Sequence, residues 1–175
     1  NSRAKNYVAG KEYKYTQGSS TLSIQARYFV GTSGNVRKFA DNYLLSASPT
    51  SEETIEQQNW QLHSLNETGS FLIATEGSGT SQLSTCINPY GKSTVSARAY
   101  KQNRNFQDIR YRLVPWLLGE KLKDERCLWT HMLLRQQDKP VNNQANNSQA
   151  ETQETLIQEA WSNWYAWWSP RFPKM

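Results

Sequence analysis

The period of apolar and polar residues changes several times along the chain, and each change marks an element. In "KEYKYTQ", residues 11–17, alternate positions share a face, with Tyr13 and Tyr15 together. After "QGSS", the run "TLSIQARYFV" alternates again through Leu22, Ile24, Ala26 and Tyr28, so the pair predicts a β-hairpin. "GTSG" at 31–34 reads as a loop, and "NVRKFADNYLLSAS" fits either a strand or a short helix. Residues 46–59 are polar and read as a loop holding one helical turn.

A second hairpin is predicted from "SFLIATE", the turn "GSGT" and "SQLSTCI", which places Cys86 near a strand end with "NPYG" as the next turn. Thr94 is positioned to cap a helix over "VSARAYKQNR", and "LVPWLLG" suits a short helical turn opened by Pro115 and closed by Gly119. "ERCLWTHMLLRQ" puts Cys127, Trp129, His131 and Leu133 on one face and Leu128, Thr130, Met132 and Leu134 on the other. A strand substantially apolar on both faces belongs in the middle of a sheet.

Residues 136–153 are Asn/Gln-rich without an apolar period, which predicts a mobile loop. "ETLIQEAWSNWYAWW" is helical in period: Leu156, Ala160, Trp164 and Trp167 form a stripe, with Ile157, Trp161 and Trp168 beside it. Ser169-Pro170 ends that helix. The sum is an α+β domain: an antiparallel sheet of hairpins with one or two packing helices, including a Trp-rich carboxy-terminal helix.

Length and composition narrow this picture. The 175 residues suit one domain spanning 1–175, and seven Trp with nine Tyr argue against disorder. The net charge of +5 comes from scattered Lys and Arg, so no basic block marks a nucleic-acid partner. No run of 18 apolar residues is present and no signal-peptide pattern opens the chain. The start at Asn1 predicts that something upstream has been removed, an amino-terminal membrane anchor being one candidate.

Chemistry centres on "STCINPYGKST", residues 84–94. Gly91-Lys92-Ser93 matches the end of a phosphate-binding loop, but Cys86 stands where its first glycine is needed and Pro89 removes an N–H donor, so that reading is rejected. A thiol enzyme would use Cys86 with His131. Cys127 is four residues from His131, about 13 Å along a strand, too far for a direct hydrogen bond. Cys86 and Cys127 are otherwise a disulfide or two buried thiols, alternatives that the residues leave open. Two Cys and two His lack ligand spacing, so no metal or other cofactor is expected. Glu52, Glu53 and Glu56 read as a solvated cluster, and the tripeptides at 66–68 and 146–148 match a glycosylation pattern that recurs by chance. The Trp-rich helix divides between core and contact surface: four Trp in eight residues exceed what one buried stripe needs.

"GKSTVSARAYKQNR", "RLVPWLLGEKLKDERCLWTHM" and "EAWSNWYAWWSPRFP" occur in that order, and together they resemble the cyanobacterial family of cyanoexosortase A system-associated proteins. The resemblance covers about residues 82–173, with Lys92 and the Asn/Gln insert at 142–153 as departures. It implies a non-enzymatic accessory domain of a membrane exosortase that sorts exported proteins near exopolysaccharide genes. The implied setting is extracytoplasmic, on the periplasmic side, with a membrane anchor in the full-length protein. An oxidising compartment favours the Cys86–Cys127 disulfide. The expected partners are the exosortase or its sorted substrate, with exopolysaccharide as a further candidate and no nucleic acid. The expected contact surface draws on Trp161, Trp164, Trp167, Trp168 and Arg171. The rival functions are a thiol hydrolase or transpeptidase using Cys86 and His131, and a glycan-binding module.

Overall fold

The structure is a computed structural model that describes residues 7–43, 59–76, 79–119, 122–136 and 146–172. Among the described residues six strands are hydrogen-bonded in one antiparallel sheet: β1 (Tyr7–Gln17), β2 (Ser20–Val30), β3 (Gln61–Leu65), β4 (Gly69–Glu76), β5 (Thr80–Ile87) and β6 (Arg126–Gln136). The helices are α1 (Val36–Tyr43), α2 (Ala97–Leu117) and α3 (Asn146–Trp168), the last followed by a 3-10 turn over Ser169–Arg171. The fold is α+β.

Sheet order is β1-β2-β6-β5-β4-β3. The last strand in sequence therefore joins the two hairpin units made earlier. Its composition explains that position, because β6 is buried almost end to end and tolerates cover on both faces. Leu128, Met132 and Leu134 point to one side, where they meet Ile24, Ala26, Phe71, Ile73, Leu83 and Ile87 beneath Ile157 and Trp161 of α3. Cys127 and Trp129 point to the other side, with Phe29, Leu72, Val36 and Phe39 of α1, and Tyr100 of α2. The result is three layers: α3, the sheet, then α1 with the first turns of α2.

Both predicted hairpins form, with turns at Gly18-Ser19 and around Gly79, and the ambiguous segment after residue 34 is the helix α1. Gly34 shows why a glycine precedes it: its φ is +66°, and a Cβ there would collide with the Tyr100 ring. The loop expected over 46–59 lies outside the described residues up to 58.

Four expectations need correction. Ser96, not Thr94, caps α2, its hydroxyl accepting the Ala99 N–H at 3.2 Å, whereas Thr94 bridges back to Cys86. "LVPWLLG" is no separate turn: Pro115 lies inside the last turn of α2, and Gly119, at φ +97°, follows its end. Residues 146–153 of the expected Asn/Gln loop are the first turns of α3, while 137–145 lie outside the described residues. The inner face of α3 runs through Gln153, Ile157 and Trp161, so Leu156 and Trp167 are exposed rather than part of the buried stripe.

A buried ionic cluster anchors the return from α2 to β6. Arg126 donates from Nε and Nη2 to the two carboxylate oxygens of Asp124, at 2.7 and 2.6 Å, and Arg112 of α2 reaches Asp124 at 3.3 Å. Burial works against the charge on Arg126, but hydrogen bonds to Asp124 and Tyr28 outweigh it and hold its pKa above the ordinary arginine value. Tyr100 donates its hydroxyl to the Arg126 carbonyl at 3.0 Å, and the Arg126 guanidinium lies over the Phe172 ring. Asp124→Ala removes the carboxylate that both guanidinium groups bond. We expect a loss of about 3–5 kcal/mol in urea unfolding; a loss below about 1 kcal/mol would show that the cluster is not a structural anchor.

Candidate functional site

Cys86 and Cys127 are joined by a disulfide, with a Cα–Cα distance of 5.7 Å and 41 residues between them in sequence. Strand register makes the pairing possible: Cys86 faces Trp129 across β5 and β6, and Cys127 is the next residue on that face of β6. A bonded sulfur carries no thiolate, so in this state Cys86 is not a nucleophile. Both cysteines are fully buried beside Trp129, whose indole N–H donates to Ser84 Oγ at 2.9 Å.

His131 is buried on the same face of β6, stacked on Trp129 with ring centroids 5.9 Å apart. Burial alone pushes its pKa down to about 4, so the imidazole is neutral at pH 7. Its Nδ1 has no hydrogen-bond partner among the described residues, and neither has Oε1 of Gln25, the residue opposite it on β2. His63 lies apart from it on β3, 3.4 Å from Glu154 of α3. No cluster of three or more His, Cys, Asp or Glu suited to a metal occurs among the described residues. No helix among them is long and apolar enough to cross a membrane.

The "NPYGKST" stretch folds in on itself. The Asn88 amide donates to the Lys92 carbonyl at 2.6 Å, and Ser93 Oγ donates to the Thr68 carbonyl at 2.6 Å. Asn103 of α2 and Tyr165 of α3 donate to the carbonyls of Tyr90 and Gly91. Its polar groups thus hold the turn to both helices and the sheet.

The residues expected to form a contact surface separate into two sets. Trp161 is corrected to the core: it is fully buried, and its indole N–H donates to Thr68 Oγ1 at 3.1 Å. Trp164 is half-buried, bonded to Thr130 Oγ1 at 3.2 Å and edge-on to Tyr13. Trp167 is 51% exposed, and Arg171 lies 4.6 Å over its ring while donating to the Trp167 carbonyl. Trp168 sits between them, T-shaped to Trp167 at 4.9 Å.

Trp168 also lines an apolar groove of about 320 Å³ against the β1–β2 hairpin, with Tyr13, Ala26, Tyr28 and Leu128. Lys11 borders it and lies over the Tyr13 ring. The Trp168 indole N–H is buried and has no acceptor among the described residues. Sequence reasoning found the Trp residues but not the groove, whose other wall is a hairpin more than a hundred residues away in sequence. Alternation at Tyr13, Ala26 and Tyr28 was the available signal.

No family model, no curated protein and no solved structure matches the chain.

Two outcomes follow from the buried pair and the buried imidazole. Closing a loop of this length stabilises the fold by about 4 kcal/mol in the chain-entropy model. Cys86→Ser and Cys127→Ser should therefore destabilise equally in denaturant unfolding, and a double variant that melts like wild type would remove the bridge from the account. For His131, the folded pKa of about 4 lies below the ordinary 6.5. Its stability term is complete above pH 6.5 and is lost as pH falls through the folded value, by a few kcal/mol in all. His131→Phe should flatten the unfolding free energy between those pH values relative to wild type; parallel profiles would mean that His131 is not buried neutral.

Proposed function

We propose that the domain is a non-enzymatic accessory of a cyanobacterial exosortase protein-sorting system linked to exopolysaccharide export. It works by holding a partner, the exosortase or the tail of a sorted substrate, on the periplasmic side of the membrane. The observation that carries this reading is the aromatic groove between Trp168 and the β1–β2 hairpin, with Trp167 and Arg171 exposed nearby on the same terminal segment.

An extended apolar segment suits such a groove for two reasons. Its walls include the flat rings of Tyr13, Tyr28 and Trp168, which bury apolar side chains at little entropic cost. Beside it, β1 is an edge strand, paired among the described residues with β2 alone and exposed along nearly all its length, so its outer backbone groups can take up an added strand. The disulfide agrees with an oxidising compartment, and the "PWLLG", "RCLWTH" and Trp-rich segments supply the link to the family. A thiol hydrolase or transpeptidase would need Cys86 released from Cys127.

A glycan is the second occupant favoured by a specific observation, since Tyr13, Tyr28 and Trp168 offer ring faces on which sugars stack. The test combines Trp167→Ala with Arg171→Ala. The pair forfeits the Trp167 contact with Trp168 and the Arg171 cation over its ring but touches no fully buried residue, so stability should fall by about 1–2 kcal/mol with the fold retained. Capture of the exosortase, or of a synthetic sorting-tail peptide, should fall about tenfold or more. Capture of neither by the wild-type domain, with saturable quenching of Trp fluorescence by exopolysaccharide, would replace the protein partner with a glycan.

A further inference from the structure

Helix α2 carries an apolar face that the fold leaves in solvent. Phe106, Ile109, Leu113, Trp116 and Leu117 recur at spacings of three, four, three and one, which places them on one side of the helix. All five are between 46% and 68% exposed, and Leu118 at the helix end is 82% exposed. None belongs to either core cluster. The opposite side is the one that binds the domain: Tyr100 is buried, Asn103 and Arg104 bond Tyr90 and Glu125, and Tyr111 stacks on Tyr90.

A contiguous apolar face of this kind is uncommon on a protein that has no use for it. Its charge pattern selects the occupant. The helix holds five basic residues, Arg98, Lys101, Arg104, Arg110 and Arg112, against one acid, Asp108. Arg104 and Arg112 are paired with Glu125 and Asp124, but Arg98, Lys101 and Arg110 are exposed, as is Lys123 in the segment that follows. Aliphatic side chains and a Trp on one face with basic side chains around them match an anionic lipid surface. The apolar residues enter the acyl boundary, the indole sits at headgroup level, and the cations meet lipid phosphates.

The geometry points to α2 as a membrane-docking helix that lays its Phe106–Leu117 face on an anionic bilayer. This does not depend on what fills the aromatic groove, because the two surfaces share no residue. It also needs no spanning segment: the helix lies along the interface.

Co-sedimentation of the disulfide-intact chain with vesicles tests it. Vesicles of phosphatidylcholine with phosphatidylglycerol should pull the protein down at low salt, and vesicles of phosphatidylcholine alone should do so much less. Leu113→Glu with Leu117→Glu should cut binding about tenfold or more, since each leucine removed from the acyl boundary forfeits its transfer energy. Arg110→Glu with Lys123→Glu leaves the apolar face intact and should weaken binding chiefly to the anionic vesicles, with a reduced salt dependence. The inference is overturned if wild type stays in the supernatant with both vesicle types. It is equally overturned if both variants bind as wild type does. It also fails if Leu113→Glu with Leu117→Glu only dissolves a wild-type dimer in sedimentation without vesicle binding, because the face would then join two copies.

Discussion

Strand β6 has to be covered on both faces, and the rest of the architecture answers that requirement. Its residues alternate between two apolar sets, so a single layer of helices would leave half of them in water. Pairing with β2 on one edge and β5 on the other satisfies the backbone. Helix α3 then covers Leu128, Met132 and Leu134, while α1 and the first turns of α2 cover Cys127 and Trp129. The indole donors follow the same logic. Trp129, Trp161 and Trp164 each find a Ser or Thr hydroxyl supplied by the sheet or its turns, so these three indoles are buried with their N–H groups bonded, whereas that of Trp168 at the groove has no acceptor among the described residues.

The chain between β5 and β6 is held at its base and projects beyond it. The disulfide joins the two strands where that segment leaves and returns, and the Asp124 cluster ties Arg112 to the start of β6. Beyond Arg112 the helix runs on for more than a turn with apolar side chains outward. A rigid base lets a short helical end present such a face without support from the core. Helix α2 lies inside the loop that the disulfide closes, whereas α3 packs on the opposite side of the sheet.

How far the sequence could be read depended on whether inward positions were apolar. The hairpins and β6 were legible because Leu22, Ile24, Leu83 and Met132 fall in register with the period of a strand. The start of α3 was not, because its inward residue is Gln153, buried and bonded to Ser81 and Gln136. A polar residue in a core position erases the apolar period, so "NNSQAETQ" reads as a loop. Edge strand β3 was missed for a related reason: its five residues are mostly exposed and alternate weakly. Pro115 reads as punctuation in the sequence, yet in the last turn it forfeits only the bond its N–H would have made to the Tyr111 carbonyl. At the site, composition alone left Cys86 and Cys127 open between bridge and thiols, and only strand register brings them within bonding distance. Trp161 and Trp167 are chemically identical in the sequence, and what separates core from surface is the phase of α3 on the sheet.

The two exposed apolar regions emerge from different layers. The groove belongs to the side of the sheet that α3 covers, since Ala26 and Leu128 are part of that core. Helix α2 belongs to the other side, through Tyr100. A surface resting on α2 therefore leaves the groove unobstructed, and substitutions at one region are far enough removed from the other to act additively. For an accessory domain that arrangement separates two requirements that would conflict on a single surface. Docking to a bilayer favours aliphatic residues ringed by cations, whereas recognition of a segment favours rigid ring walls and an open strand edge. The six-stranded sheet between them holds the two in fixed relation, so under the proposed docking a segment bound in the groove would be presented at a set orientation to the membrane.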